Sequence, residues 1–118
     1  MFKNILIVGC GLIGSSILRA SINKKISKNF FVFEKSETNI REIKKINKKI
    51  IILKKLNNKI SDIDFVILAT PMSQYERVIP YLNKYLSKKS LITDVGSTKE
   101  NIKKLKNKSL PKSLDWIM

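Results

Sequence analysis

The stretch Gly9-Cys10-Gly11-Leu12-Ile13-Gly14 decides the fold of this chain, because of what lies on either side of its three glycines. An apolar run from Phe2 to Val8 comes before it, and a second apolar run from Phe30 to Phe33 ends at Glu34. Between the two runs, apolar residues recur at helical spacing: Ile13, Ile17, Leu18 and Ile22. The order strand, glycine turn, helix, strand, acid is the one that a dinucleotide-binding βαβ unit requires.

Each glycine of this turn has a predicted role. Gly9 allows the tight turn out of the strand, Gly11 lets a cofactor pyrophosphate approach the backbone, and Gly14 lets the helix lie close to the sheet. Free N–H groups and the positive end of the dipole at the helix start would hold the phosphates. The alternative is an ordinary tight turn in another kind of α/β domain.

Glu34 indicates which dinucleotide binds. It lies twenty residues after Gly14, where a carboxylate can accept hydrogen bonds from the adenosine ribose hydroxyls and repel a 2′-phosphate. NAD is therefore the predicted and preferred cofactor. Lys35 and Ser36 stand beside Glu34 and are both able to receive a 2′-phosphate, so NADP stays open as the second choice.

Length and composition limit what else the chain can be. With 118 residues, of which 43% are apolar, one compact domain is predicted rather than two. No apolar run approaches the ~18 residues of a membrane span. The amino-terminal run contains Asn4 and has no basic leader, so no signal peptide is expected. The single cysteine, Cys10, fits a reducing cytoplasm, and no metal site is predicted.

The formal net charge of +15 would usually suggest nucleic-acid binding. Lysine, isoleucine and asparagine, however, make up 50 of the 118 residues. All three use AT-rich codons, so genome composition is a sufficient cause of the lysine excess. The lysines do not interleave with aromatic residues. A solvated basic surface without a nucleic-acid partner is therefore predicted, and a basic nucleic-acid binder is kept as an alternative.

The rest of the chain alternates strands with helices. Further strands are predicted at Ile50 to Leu53, Asp64 to Ala69 and Ser90 to Val95, and the start of a sixth at Asp115 to Met118. Helices are predicted to begin at polar caps: Ser36, the capping box of Ser73 with Glu76, and the capping box of Ser97 with Glu100. This alternation is typical of a Rossmann-type, doubly wound parallel sheet of about five strands in the order 3-2-1-4-5, plus the start of a sixth.

Four stretches, taken in order, carry a resemblance to a known family. They are Val8 to Ser16, Asp64 to Pro71, Thr93 to Lys99, and Leu110-Pro111 with Trp116-Ile117. They resemble four motifs of the prephenate and arogenate dehydrogenases of tyrosine biosynthesis. In order, these motifs are the G-x-G-L-I-G-[GS]-S opening, the A-D-x-V-[IV]-L-A-T-P strand, the T-D-x-G-S-x-K segment and the approach to the catalytic histidine motif. The resemblance spans essentially the whole chain.

The resemblance implies NAD(P)-dependent oxidative decarboxylation of prephenate or arogenate, in which hydride passes to the cofactor and carboxylate is lost as CO2. It also implies that the catalytic base is the histidine of an H-P-x-x-G motif, followed by a helical domain that dimerises and completes the substrate pocket. This chain contains no histidine and stops at Met118. Residues 1 to 118 are therefore expected to be the cofactor half of a homodimeric parent, and to be inactive alone.

Three segments are expected to meet at the cofactor groove: Gly9 to Gly14, Ala69 to Met72 and Asp94 to Lys99. The residues predicted to bind the cofactor are Gly9, Gly11, Leu12, Ile13, Gly14, Glu34, Ala69, Thr70, Pro71, Asp94, Gly96 and Ser97. By the resemblance, Ser97 also supports catalysis, because it matches the family serine that lies near the nicotinamide and hydrogen-bonds the catalytic histidine. The sequence by itself supports a role for Ser97 as a helix N-cap.

Two other functions stay as alternatives. One is another Rossmann reductase, such as a hydroxy-acid dehydrogenase or a pyrroline-carboxylate reductase, although their loops resemble motifs other than Asp94-x-Gly96-Ser97-x-Lys99. The other is a non-catalytic NAD-binding module, to which the absence of histidine lends weight. Tyr75 and Tyr81 are interpreted as packing or surface residues rather than ligands.

Overall fold

The computed structural model describes residues 2–9, 11–70, 72–87, 90–94 and 115–117, with residues 12, 13, 72, 94 and 115–117 described by their backbone. The elements in chain order are β1 (Phe2–Val8), α1 (Leu12–Asn23), β2 (Ser27–Phe33), α2 (Glu37–Ile46), β3 (Ile51–Leu53), β4 (Phe65–Leu68), α3 (Tyr75–Tyr85), β5 (Leu91–Asp94) and β6 (Asp115–Ile117). Short 3-10 turns, Asn58–Ile60 and Met72–Gln74, lie before β4 and α3.

The strands form one sheet in the order β3-β2-β1-β4-β5-β6, and every neighbouring pair is parallel. This confirms the predicted order 3-2-1-4-5 with the start of a sixth strand. The register aligns the carboxyl ends of the strands: Val8 pairs with both Phe33 and Leu68, and Leu68 pairs with Asp94. Since β1 lies between β2 and β4, the chain changes direction across the sheet at β1, which is where such folds bind ligands.

Both faces of the sheet are covered, as the continuous apolar runs of parallel strands require. One face packs against α3, and its buried residues include Leu6, Val8, Val66, Leu68, Val78, Ile79, Leu82 and Ile92. The other face packs against α1 and α2, and its buried residues are Ile5, Ile7, Leu18, Val32, Ile43, Ile50 and Ile67. Alternate residues of β1 therefore contribute to opposite halves of the core.

Helix α2 begins as predicted. Ser36 is its N-cap, and the Asn39 backbone N–H donates a hydrogen bond to the Ser36 hydroxyl oxygen at 3.4 Å. Glu37 lies in the first turn, where a negative charge interacts favourably with the helix dipole. A local signal was sufficient here, because the capping hydroxyl and the N–H group that donates to it are only three residues apart.

The predicted capping box of Ser73 with Glu76 is wrong. The backbone of Met72–Gln74 forms a 3-10 turn, so α3 begins at Tyr75 with Gln74 as its N-cap, and no side chain caps it. A cap at Ser73 would lie one residue too early for this helix. The helix then continues through the exposed Pro80. The second predicted box, at Ser97, lies outside the described residues.

Among the helices in the described part of the chain, none combines the length and the apolar character that crossing a bilayer requires.

Candidate cofactor site

The glycine turn lies between β1 and α1, and its first glycine has a backbone that other residues rarely adopt. Gly9 has φ of +83°, in the left-handed region that favours glycine. A Cβ atom added there would also lie 3.0 Å from the Cβ of Thr70. The Gly9 N–H donates to the Phe33 carbonyl, and the Ala69 N–H donates to the Val8 carbonyl, both at 2.9 Å. The turn is thus fixed to the ends of β2 and β4.

The other two glycines differ sharply in the space around them. A Cβ atom on Gly14 would lie 2.6 Å from the Gly9 carbonyl oxygen and 3.3 Å from the Cβ of Ala69. Gly14 therefore allows α1 to pack directly on the turn. A Cβ atom on Gly11 would meet nothing within 4 Å. The protein leaves open space at Gly11, which is the place where the sequence predicts that the pyrophosphate approaches.

The start of α1 is suited to an anion. Gly11 is its N-cap and has no side chain with which to cap the helix, and the first turn contains no acidic residue. The first N–H groups of a helix have no partner within the helix, and they carry the positive end of its dipole. Such N–H groups at a helix start are typical binding partners of a phosphate.

A cleft of about 630 Å³ opens at the carboxyl ends of β1 to β4, within the volume range of small-molecule sites. It extends from the glycine turn toward β2 and β3 and is closed on one side by α3. Its lining residues are Val8, Gly9, Phe33, Glu34, Lys35, Lys54, Lys55, Leu56, Asn57, Thr70, Gln74, Arg77, Val78, Tyr81 and Tyr85. Tyr81 is about half exposed, at 52% of its maximal surface.

Glu34 stands at the end of β2, at the edge of the cleft, and its carboxylate is held by the loop that follows. One carboxylate oxygen accepts the backbone N–H groups of Lys35, at 3.0 Å, and Ser36, at 3.3 Å. The other accepts the side-chain amide of Asn39 at 3.1 Å. These donors orient the carboxylate at the edge of the cleft.

Four cations line the same cleft: Lys35, Lys54, Lys55 and Arg77. Lys54 donates a hydrogen bond to the Glu37 carboxylate at 2.5 Å. This hydrogen bond, and then the charge of Lys54, hold the pKa of Glu37 below its ordinary value. The Lys35 ammonium lies 6.0 Å from the centre of the Phe33 ring. Since both Phe33 and Lys35 line the cleft, this contact places a positive charge at its edge.

Residues 40–117 match the family model described as the nucleotide-binding domain of prephenate dehydrogenase. The chain belongs to this family. The match begins within α2 and extends to the end of β6, and the glycine turn comes before it in the sequence.

Individual relatives extend the similarity over the glycine turn. A cyclohexadienyl dehydrogenase of Zymomonas mobilis is 29% identical over 111 residues, which are 94% of this chain and 38% of that protein. The structure of prephenate dehydrogenase from A. aeolicus in complex with hydroxyphenyl propionate and NAD+ has 24% identity and a TM-score of 0.82, covering 97% of this chain and 40% of that one. The chain spans about two fifths of the length of these relatives.

A third relative has the same fold. The structure of Synechocystis arogenate dehydrogenase gives a TM-score of 0.69 at 20% identity, covering 87% of this chain and 37% of that one. These structural likenesses confirm the Rossmann-type architecture.

The structure brings together most of the predicted site residues that it describes. Gly9, Gly11, Gly14, Ala69 and Thr70 form the turn and its neighbours, with the backbone of Leu12 and Ile13 at the start of α1. Glu34 lies at the end of β2, and the backbone of Asp94 ends β5 level with Leu68. Three predicted residues lie outside the described part of the chain: Pro71, Gly96 and Ser97.

Several residues of the cleft were not predicted as site residues. The segment after β3 contributes Lys54, Lys55, Leu56 and Asn57. Their position directly after a strand of a parallel sheet is the sequence feature that could have indicated them as site residues. The N-cap of α3, Gln74, and one face of the helix also line the cleft; the residues on that face are Arg77, Val78, Tyr81 and Tyr85. Tyr81 is therefore a cleft residue as well as a surface residue, whereas Tyr75 is 1% exposed and packs in the core, as predicted.

Proposed function

We propose that this chain is the NAD-binding part of an enzyme that oxidatively decarboxylates prephenate or arogenate in tyrosine biosynthesis. One observation carries the cofactor part of the proposal: Gly11, at the start of α1, has open space in front of it and lies two residues after Gly9, which lines a cleft at the change of direction in the sheet. Membership of the family supports the substrate half, since that family takes its description from prephenate dehydrogenase.

In the proposed complex, each part of NAD has a place of suitable chemistry. The pyrophosphate lies at Gly11 and the first N–H groups of α1, where helix dipole and open backbone favour an anion. The adenosine ribose lies by Glu34, whose carboxylate has lone pairs to accept its hydroxyl groups. The nicotinamide lies toward the ends of β4 and β5, with Ala69, Thr70, Pro71, Asp94 and Gly96 around it.

When bound, NAD+ supplies the acceptor for hydride from the hydroxyl-bearing carbon of the substrate ring, and loss of CO2 with aromatisation makes the reaction favourable. In this proposal, the chain binds the cofactor and excludes water from one side of it. Ser97 supports the catalytic histidine, which the rest of the enzyme provides. Lys99 is a poor candidate for the base, because an ordinary lysine is protonated at neutral pH.

The proposal extends to the organisation of the whole enzyme. Residues 1 to 118 are one dinucleotide-binding domain, and a helical domain supplies the second wall of the substrate pocket. That helical domain also makes the parent enzyme a homodimer. The enzyme acts in the cytoplasm, to which the single cysteine is suited.

A chimera tests the substrate half of the proposal. Residues 1 to 118 are joined to the part of the Zymomonas mobilis cyclohexadienyl dehydrogenase that lies beyond the aligned segment. NADH formation is then followed with prephenate and with arogenate, and the intact Zymomonas enzyme is the control. We expect turnover of at least one of the two substrates, because the chain would provide the cofactor site for a complete substrate pocket.

Calorimetric titration of the chain with NAD tests the cofactor half separately. Saturable binding to one site per chain is expected. A folded chain that binds no NAD would overturn the cofactor half. A chimera that binds NAD but turns over neither substrate, while the intact control is active, would favour the non-catalytic module instead.

A further inference from the structure

Strand β3 lies at one end of the sheet, and among the described strands it has a neighbour on one side, β2. The Glu34 N–H donates to the Leu53 carbonyl at 3.1 Å, so the backbone groups of Leu53 face β2. Because backbone groups alternate between the two edges of a strand, the N–H and carbonyl of Ile52 face away from the sheet. β3 thus presents a backbone donor and a backbone acceptor at an open edge.

An apolar side chain is exposed at the same edge. Ile51 exposes 43% of its maximal surface. Its side chain shares a sheet face with Leu53, since residues two apart on a strand point to the same side, and Leu53 is buried in the core on the α3 face. Ile51 therefore extends this apolar row to the edge of the sheet, where an added strand would cover part of it.

The surroundings of the edge are positively charged. Residues 43–61 contain seven lysines and no acidic residue. Lys48 and Lys49 come shortly before β3, Lys54 and Lys55 come directly after it, and all four are exposed. Lys54 has the carboxylate partner described above. Lysines beside an edge strand repel the same edge of a second copy, and for the same reason they attract a strand that carries acidic residues.

We propose that the β3 edge binds an extended acidic segment of a partner protein, which adds to the sheet as a further strand. The backbone of the partner pairs with the N–H and carbonyl of Ile52, and an apolar side chain covers Ile51. Its acidic side chains lie near the lysines on either side of β3. Ile51 and Ile52 do not line the cofactor cleft, so this interaction goes beyond the proposed function and does not depend on it.

The edge favours this partner over other occupants. A lipid surface would leave the N–H and carbonyl of Ile52 without hydrogen bonds, which is costly in hydrocarbon. Single-stranded nucleic acid binds through aromatic side chains on which its bases stack, and residues 43–61 contain no aromatic residue. A second copy of the chain would bring lysines against lysines. An acidic extended segment satisfies both the backbone groups and the charge.

Calorimetric titration with model peptides tests the proposal. The probe is a short blocked peptide in which glutamate and valine alternate. One control has the same sequence with every backbone nitrogen methylated, so it keeps the charge but cannot pair as a strand. The other control alternates lysine and valine. We expect the acidic peptide to bind about tenfold or more tighter than its methylated analogue, because it alone forms the backbone hydrogen bonds, and the basic peptide not to bind.

Amide hydrogen exchange reports the position of the added strand. Exchange of the Ile52 amide should slow by about tenfold or more when the acidic peptide is saturating, because its N–H gains a partner. The Leu53 amide already faces β2 and should not change.

Variants locate the edge. Ile52→Pro removes the outward N–H, which edge strands tolerate, whereas Ile52→Ala shortens the side chain and keeps the N–H. Peptide binding should be lost in the first variant and stay within about twofold in the second. The double variant Lys48→Ala with Lys49→Ala should weaken binding by about threefold or more. Lys24→Ala with Lys25→Ala removes two exposed lysines between α1 and β2 and should leave binding unchanged.

Failure of the acidic peptide to bind, or binding equal to that of its methylated analogue, would overturn the proposal. An equal effect of the two lysine pairs, or unchanged exchange at Ile52, would also overturn it, and these measurements decide if Ile52→Pro does not fold. An oligothymidylate or phosphatidylglycerol vesicles that bind through Lys48 and Lys49 in place of the peptide would assign the edge to a nucleic acid or a membrane. Dimerisation in sedimentation that Ile52→Pro abolishes would assign it to a second copy. Titration with NAD tests the proposed function separately.

Discussion

The three glycines of the turn are needed for three different physical reasons. Gly9 has a positive φ and contacts Thr70, Gly14 lies against the Gly9 carbonyl, and Gly11 has open space in front of it. The first two are therefore constrained by the protein itself. The third is unconstrained by the protein, and we attribute its lack of a side chain to the ligand.

Substitutions at Gly14 and Gly11 should separate folding from binding. Gly14→Ala places a methyl group against backbone and should lower the free energy of unfolding by about 1–3 kcal/mol. Gly11→Val should lower it by less than about 1 kcal/mol, through a poorer N-cap. It should nevertheless abolish NAD binding, because the branched side chain fills the phosphate space. Urea denaturation and calorimetry measure the two effects. Unchanged NAD affinity in folded Gly11→Val would contradict the assignment of the pyrophosphate.

The connection from α1 to β2 terminates a helix without a glycine. Ile26 N–H donates to the Ser21 carbonyl at 3.2 Å and Lys25 N–H donates to the Ile22 carbonyl at 3.1 Å, the two hydrogen bonds of a Schellman motif. The residue in the left-handed position is Lys25, with φ of +52°. A side chain at that φ is strained, so this turn is less stable than it could be.

Lys25→Gly should therefore stabilise the chain, by up to about 1 kcal/mol, because the relief of strain exceeds the entropy that glycine loses on folding. Lys24→Gly is the matched control. Lys24 has φ of −87°, so the same change relieves no strain there and should cost about 0.5–1 kcal/mol. The midpoints of urea denaturation of both variants are compared with that of the parent. A Lys25→Gly chain no more stable than the parent would show that the turn is not strained.

At the scale of the whole molecule, the sheet assembles the candidate site from residues distant in sequence. The strands end level with one another. One cleft is therefore lined by the turn after β1, Glu34 after β2, Lys55 after β3 and Thr70 after β4. The chain nevertheless contains no histidine. The chain thus has a candidate cofactor site, whereas the histidine base that the family resemblance implies is absent from its sequence.

We therefore expect the purified chain to bind NAD but to form no NADH from prephenate or arogenate. A positioned base contributes about 10²–10⁴-fold to such a reaction, and orientation of the substrate by the rest of its pocket contributes several powers of ten more. Absorbance of the reduced nicotinamide follows the reaction, with the active chimera as the positive control. Robust turnover by residues 1 to 118 would show that the base lies within this chain.

The sequence predicted what local chemistry controls. The order of the strands followed from the alternation of apolar runs and helical spacing, and the cap of α2 followed from Ser36. The roles of Gly9 and Gly14 followed from their place between a strand and a helix. The start of α3 was wrongly predicted, because a 3-10 turn and an α-helix can begin with the same residues and packing selects between them.

Patterns in the sequence were thus sufficient to predict the fold class and the place of the glycine turn, since each strand and helix has a local signature. The composition of the cleft could be seen in the folded chain alone. Lys35, Lys55 and Arg77 are each about twenty residues apart in the chain, and no local pattern connects them. They line one cleft because parallel strands with helical connections return each carboxyl end to the same edge of the sheet, and because α3 packs one face across that edge.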